Sequence, residues 1–245
     1  MRSLWMLSKM ELRLFFREKQ AVFWTFAYPL AMLGLFGVMF GQKSFGAQYS
    51  DLYVPSWIGV NSLSISLFTI GTVLTSYRER DILKRYQATP ASAVTVLGAQ
   101  FIPGVIILLF SGFLMVLEGK LFFHLSMPKS LGFFLLFLAL SVFALFPFGL
   151  LLSSLVKNTR TAAALSSVVL NLMLLFSGAT FPLTMFPHFL QQVAKILPLY
   201  YVIKLLQDAW NQRILSSVTV DVIVLLGIGI LCSALSAKFF KWQAE

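Results

Sequence analysis

Six long stretches of the chain carry no charged side chain, and they constrain its fold more than any other feature. These stretches are residues 20–42, 52–77, 86–117, 130–156, 161–194 and 222–237. A helix needs about 20 residues to cross the roughly 30 Å hydrocarbon core of a bilayer. Five of the stretches exceed this length, and the last reaches it if its helix begins at Val218. The pattern predicts an all-α integral membrane protein with six transmembrane helices.

The basic residues predict how these spans are oriented. We place the spans at about residues 21–41, 54–76, 94–117, 131–155, 161–178 and 218–237. With six crossings, 13 of the 19 Lys and Arg residues fall on the side that holds both termini. Because loops rich in Lys and Arg remain in the cytoplasm, both termini are predicted to be cytoplasmic. Topology thus accounts for most of the net charge of +10, and nucleic-acid binding is not expected.

Residues 1–19 have the pattern of an amphipathic helix. Its basic side chains share one arc of the helix, and apolar side chains cover the opposite arc. The pattern predicts an interfacial helix in the headgroup plane, with its apolar side in lipid and its cations toward anionic phosphates. The alternative is an ordinary basic flank that orients the first span.

A charged segment, residues 77–92, lies between the second and third spans and reads YRERDILKRYQATPAS. From Asp81 onward, Ile82, Leu83 and Tyr86 would form the apolar edge of a short helix. Pro90 would end that helix, because the residue before a proline is biased away from helical angles. A short helix attached stiffly to two spans can pass a rigid-body push into the membrane. The alternative is that the basic residues only hold this loop in the cytoplasm.

Residues 181–213 are too apolar for a plain loop and too interrupted by proline for a span. The pattern predicts two short helices, near 188–197 and 199–210. They would enter the outer leaflet or cap the external end of the bundle.

Polar side chains within the spans are candidates for a substrate path. The candidates are Asn61, Ser64 and Thr69 in the second span, with Asn171 and Ser177 in the fifth. The alternative for such residues is hydrogen bonding between neighbouring helices, a common role for Ser, Thr and Asn in lipid.

Glu118 closes the third apolar stretch, next to Lys120. A carboxylate inside a membrane is a functional candidate, but this position predicts a solvated helix end. His124 follows in a short external loop, without the second ligand that a metal site would need.

Motifs for catalysis and nucleotide binding are absent from the sequence. It contains no GxxxxGK followed by Ser or Thr, no Ser/His/Asp set, and no HExxH or CxxC. Catalysis by this chain and a cofactor of its own are therefore not expected. A gradient-driven carrier would be expected to place charged residues at mid-bilayer, and the six stretches have none.

Two segments carry a resemblance to a known family. The first runs from Arg78-Glu79-Arg80 through Ala88-Thr89-Pro90-Ala91-Ser92. The second is Ser177-Gly178-Ala179-Thr180-Phe181-Pro182-Leu183, followed by Phe186-Pro187 and Leu197-Pro198-Leu199-Tyr200-Tyr201. In this order they resemble the cytoplasmic and external signatures of the type 2 permeases of ATP-binding-cassette exporters. One departure is Asp81, which stands where the family commonly has glycine, and it puts the start of the cytoplasmic helix in doubt.

The resemblance implies a single permease domain over residues 1–245, with 77–92 as a coupling segment and 181–213 as a re-entrant external hairpin. The residues implied in coupling to an ATPase are Arg78, Glu79, Arg80, Leu83, Tyr86 and Pro90. It further implies two ATP-binding-cassette ATPase subunits, which would bind the ATP and Mg²⁺. A second permease protomer, identical or paralogous, would meet this one along spans one and five, with the path between them.

The implied function is export of an amphipathic drug, antibiotic or lipid-like compound across the inner membrane of a bacterial cell. Export of a polysaccharide or a lipid-linked glycan is the alternative within this family. A gradient-driven secondary transporter is the alternative outside it.

Overall fold

The computed structural model describes residues 2–40, 49–87, 93–181, 183–211 and 218–239, which are helical apart from short turns. The α-helices are α1 (Arg2–Arg17), α2 (Lys19–Val22), α3 (Tyr28–Phe40), α4 (Tyr49–Ser64), α5 (Val73–Glu79), α6 (Ile82–Gln87), α7 (Ala93–Phe123), α8 (Leu131–Ser154), α9 (Thr159–Phe176), α10 (His188–Ala194), α11 (Pro198–Asn211) and α12 (Val218–Phe239). π-Helical segments Phe23–Ala27 and Ile65–Thr72 join α2 to α3 and α4 to α5. The described residues contain no strand.

Five helical stretches are long and apolar enough to cross a membrane: Asp51–Glu79, Leu97–Phe123, Leu131–Ser154, Thr159–Phe176 and Val218–Phe239. A further apolar helix, Phe23–Met39, is 17 residues long, at the lower end of the usual range for a span. The prediction of an all-α integral membrane protein is confirmed.

Two short helices occupy the region predicted to be too interrupted for one span. α10 and α11 meet at an angle of 90°, and Pro198 begins the second of them. One face of α11 is fully buried, including Leu199, Leu205 and Trp210, because α11 packs against α4, α8 and α12. The predicted pair of short helices is therefore present, and α11 packs inside the bundle.

The second crossing, α4 through α5, lies at the centre of the bundle. In its most apolar window 72% of the span is buried, against 17% for α9. Among the five long stretches, α9 is thus the one that the described residues cover least, and it presents most of its surface to lipid or to another protein.

Backbone contact joins the second crossing to α8. The hydroxyl of Ser66 donates to the carbonyl of Leu145 and accepts from the backbone N–H of Gly149 at 3.1 Å. In an uninterrupted α-helix that carbonyl and that N–H bond each other directly. Ser66 therefore bridges one turn of α8, two residues either side of Pro147, and it does so because Gly149 has no side chain to keep the two backbones apart.

α1 packs against protein, which corrects one expectation. Its buried face, which carries Ser8, Glu11 and Phe15, packs on α7. The centre of the apolar arc was expected in lipid, and this is wrong, because α7 covers it. Apolar residues at the edges of the arc, such as Trp5 and Phe16, remain exposed beside the basic side chains.

An ion pair fixes α11 to α12. Lys204 Nζ lies 2.7 Å from Asp221 Oδ2, and the side chain of Asp221 is 5% exposed whereas that of Lys204 is 32% exposed. Removing one partner of a fully buried pair costs about 3–5 kcal/mol, because the other charge stays buried without compensation. Solvent at the lysine reduces that figure here.

We expect Lys204→Met to destabilise the purified protein by about 2 kcal/mol. The double variant Lys204→Met with Asp221→Leu should recover part of this loss, because no charge remains buried. Thermal unfolding in detergent measures both, with the exposed Lys195→Met as the control. Equal melting temperatures for Lys204→Met and Lys195→Met would contradict this assignment.

Candidate functional site

Three consecutive side chains at the end of α5, which we call the Tyr77–Glu79 clamp, each reach a different helix or turn. The first is Tyr77, whose hydroxyl donates to Glu11 Oε1 at 2.7 Å. Glu11 lies on the buried face of α1, and Gln100 of α7 is a second donor to it. Burial raises the pKa of Glu11, and the hydrogen bonds from Tyr77 and Gln100 act against that rise. The three polar side chains thus tie α1, α5 and α7 together.

Arg78, the second residue of the clamp, reaches the C-terminal end of α8. Its Nη2 donates to the carbonyl of Ser153 at 2.9 Å and to that of Val156. The last carbonyls of a helix lack intrahelical donors and carry partial negative charge. A buried guanidinium therefore satisfies the end of α8 and complements its dipole.

Glu79, the third residue of the clamp, reaches the start of α9. Its Oε2 accepts from the backbone N–H of Thr159 at 2.8 Å and from the hydroxyl of Thr159. Asn158 adds a cap of its own by accepting from the N–H of Thr161 at 2.8 Å. The first N–H groups of a helix favour a negative charge. Arg78 and Glu79 thus hold opposite ends of one tight turn between α8 and α9.

α6 follows the clamp after a sharp turn at Asp81, where φ is 57°. This left-handed conformation suits glycine, and Asp is among the few other residues that tolerate it. A positive φ at this position explains why glycine would fit here in the family that the sequence resembles. It also fixes the start of the helix at Ile82, and Asp81 forms an ion pair of 2.7 Å with Lys84.

Leu83 is buried inside the chain, at 1% exposure, and belongs to the main apolar core. Leu83 therefore anchors α6 to the bundle. Its side chain, which was predicted to take part in coupling to an ATPase, is covered by this chain itself. Arg80, Asp81 and Lys84 are exposed. The side chain of Tyr86 and the whole of Pro90 lie outside the described residues, and their roles stay predictions.

The five predicted path residues do not share one surface. Asn61 is buried and donates to Ser111 Oγ of α7 at 2.6 Å, and Ser177 is buried as well. Asn61 therefore fits the alternative of an interhelical hydrogen bond. Ser64 and Thr69 lie on a half-buried side of the second crossing.

Asn171 is exposed on α9, and its amide donates to the carbonyl of Ser167 in the same helix at 2.7 Å. It shares an exposed stripe with Val168, Leu172 and Leu175. α9 packs beside the π-helical part of the second crossing, where Ser166 Oγ donates to the carbonyl of Leu67 at 3.5 Å. Ser64, Thr69 and Asn171 thus belong to neighbouring helices.

The family model for ABC-2 type transporters matches residues 2–211, which include the clamp, α6 and the helices α10 and α11. The chain belongs to this family. It is a membrane permease component of an ABC transporter, and permeases of this family work with ABC ATPase partners. A comparison with curated proteins finds no match for the chain.

Two functional candidates of the ABC-2 permease were missed by sequence reasoning. Glu11 is an acidic residue in the middle of the apolar arc of α1, and that position was a signal for a buried role. Thr159 follows Asn158 at the start of a span, and such a pair is typical of a helix N-terminus.

Glu118 of the permease corrects another expectation. α7 continues to Phe123, so Glu118 lies within the helix, and its Oε2 is buried without a hydrogen-bond partner among the described residues. The prediction that Glu118 lies at a solvated helix end is therefore wrong, because the helix continues and Oε2 is buried. His124 follows α7 with φ 51°, and no group of three metal-ligating side chains occurs in the described part of the chain.

Proposed function

We propose that this permease is half of the membrane part of an ATP-driven exporter, with ATP and Mg²⁺ bound by two separate ATPase subunits. The Tyr77–Glu79 clamp is the observation that carries the proposal. It joins a short cytoplasmic helix to α1, α8 and α9 at once. A push on that helix would therefore move several spans together.

In this proposal, docking and transmission belong to different residues. Arg80, Asp81 and Lys84 are exposed and charged, which suits contact with a soluble partner. Leu83 holds α6 against the core, so force on the exposed side chains is not lost in local bending. Arg78 and Glu79 then transmit this force to α8 and α9 through their hydrogen bonds.

A second protomer would cover the exposed stripe of α9. Asn171 supports this placement, because an amide that faces hydrocarbon favours a polar partner on another helix. The half-buried side of the second crossing, with Ser64 and Thr69, lies beside α9. A path between two protomers would then be lined by hydroxyl groups and apolar side chains. Such a lining suits an amphipathic cargo, moved outward from a cytoplasm that holds both termini.

The proposal is tested with Glu79→Gln and Thr159→Val in the permease reconstituted with the ATPase that copurifies with it. Glu79→Gln removes the negative charge at the start of α9, and Thr159→Val removes the hydroxyl that donates to Glu79. We expect each to lower permease-dependent ATPase stimulation, because a push on α6 then reaches α9 less directly. The double variant should lose less than the sum of the two single losses, because both changes weaken the same contact.

Glu18→Gln is the control. It removes an exposed carboxylate directly after α1, and it should leave ATPase stimulation unchanged. Additive losses for Glu79→Gln and Thr159→Val would show that the two residues act separately. Transport of cargo by the purified chain without any ATPase would overturn the proposed function.

A further inference from the structure

The outer part of α7 holds a carboxylate oxygen without a partner. Glu118 Oε2 is buried and accepts no hydrogen bond from the described residues. Its other oxygen, Oε1, lies 3.0 Å from the position that a Cβ would take on Gly34 of α3. The missing side chain at Gly34 therefore makes room for the Glu118 carboxylate between the two helices.

Aromatic side chains pack between α3, which carries Gly34, and α4. A Cβ on Gly119, beside Glu118, would lie 3.0 Å from Val54 of α4, and Trp57 follows one turn further along that helix. The ring of Trp57 lies 6.4 Å from those of Tyr28 and Phe36 of α3. Its Nε1 is buried, also without a hydrogen-bond partner among the described residues.

A carboxylate in hydrocarbon is costly unless a cation or a hydrogen-bond donor compensates it. The two ion pairs found among the described residues, Asp81 with Lys84 and Lys204 with Asp221, lie elsewhere. Glu118 therefore lacks a cation within the part of the chain that the structure describes.

The groups available around Glu118 decide which kind of cation can bind there. Calcium and magnesium need several oxygen ligands, and the described residues offer no cluster of three acidic, His or Cys side chains. An organic cation needs one negative charge and a surface for its apolar body. Aromatic rings attract such cations through their faces.

We infer that Glu118, in the space left by Gly34, and the exposed side chains of Leu117, Leu121 and Phe122 form a binding site, the Glu118 site, for a lipophilic organic cation. Glu118 itself is half-buried, and next to it Leu117, Leu121 and Phe122 are exposed toward lipid. The cation would enter from the outer leaflet and place its charge against the carboxylate. This site is separate from the clamp and from Ser64, Thr69 and Asn171, and binding requires no ATPase.

The test compares two ions of the same shape and opposite charge, tetraphenylphosphonium and tetraphenylborate. Equilibrium dialysis measures their binding to the full chain in nanodiscs of neutral lipid, after subtraction of binding to empty discs. We expect the wild type to retain tetraphenylphosphonium in preference to tetraphenylborate. Glu118→Gln should weaken phosphonium binding at least tenfold, whereas Glu18→Gln should not change it.

Two further variants keep the test decisive if Glu118→Gln folds poorly. Gly34→Ala adds a methyl group at the carboxylate and should weaken phosphonium binding. Glu118→Asp retains the charge and should preserve the preference for the phosphonium. Equal phosphonium binding by wild type, Glu118→Gln and Gly34→Ala overturns the inference. So does a loss of thermal stability in Glu118→Gln without a change in binding, because it indicates a structural ion pair with a lysine outside the described residues.

Discussion

Replacing Gly149 with alanine is expected to prevent the bundle from folding. The added Cβ would lie 2.6 Å from the carbonyl carbon of Ser66 and nearer still to the oxygens of that residue. Because the obstacle is backbone of the central span, no side-chain rotation can relieve it. Overpacking of a core costs about 1–3 kcal/mol and sometimes more, and we expect this position to exceed that range. Size-exclusion chromatography of the purified protein should show loss of the monodisperse peak.

Gly132→Ala is the matched control, since Gly132 lies in the same helix and a Cβ there meets nothing within 4 Å. It should purify as the wild type does. The double variant Gly149→Ala with Ser66→Ala separates the two obstacles. It removes the hydroxyl but leaves the backbone of residue 66 in place, so we expect little recovery. A stable, monodisperse Gly149→Ala protein would mean that the second crossing and α8 are further apart than described.

Arg78→Met is expected to abolish the communication between the permease and its ATPase while the two remain bound. Methionine fills much of the space of the arginine stem but donates no hydrogen bond to the carbonyls of Ser153 and Val156. With hydrogen bonds to charged groups contributing about 1.5–3 kcal/mol each, we expect ATPase stimulation to fall at least about tenfold. The stimulation of hydrolysis in the reconstituted complex measures this effect, and copurification measures the binding.

Arg80→Met should give the opposite pattern. Arg80 is exposed and adjacent in sequence, so its loss should weaken copurification of the ATPase before it affects the stimulation per bound complex. If Arg78→Met and Arg80→Met both weaken copurification equally, docking and transmission are not divided as proposed. If Arg78→Met leaves stimulation unchanged, the contact with α8 has no part in coupling.

The spans were predictable because a bilayer imposes one simple rule. Backbone polar groups must be satisfied within the helix, so charge-free stretches of sufficient length read directly as spans. The same reasoning recovered α10 and α11 from their prolines. It placed the end of the third span too early, because Glu118 was taken as a boundary and α7 continues past it.

Contacts between helices were harder to predict, because they depend on how each helix is rotated about its axis. The sequence marks Asn61 and Ser64 as polar, yet only the packing decides that Asn61 meets Ser111 while Ser64 stays half-buried. Leu83 shows the same limit, since an apolar residue at the surface and one in the core have identical sequence signals. The Tyr77–Glu79 clamp could not be predicted either, because the sequence does not show that α5 lies next to the turn between α8 and α9.

The hydroxyl of Ser66, shared between two positions of α8, has a mechanical consequence. Two membrane crossings joined through one hydroxyl and the main chain of α8 resist sliding along one another, since a shift would break both bonds at the bridge. We therefore expect this inner pair to move as one piece if the bundle rearranges. Any rearrangement within the chain would then fall to the helices around this pair.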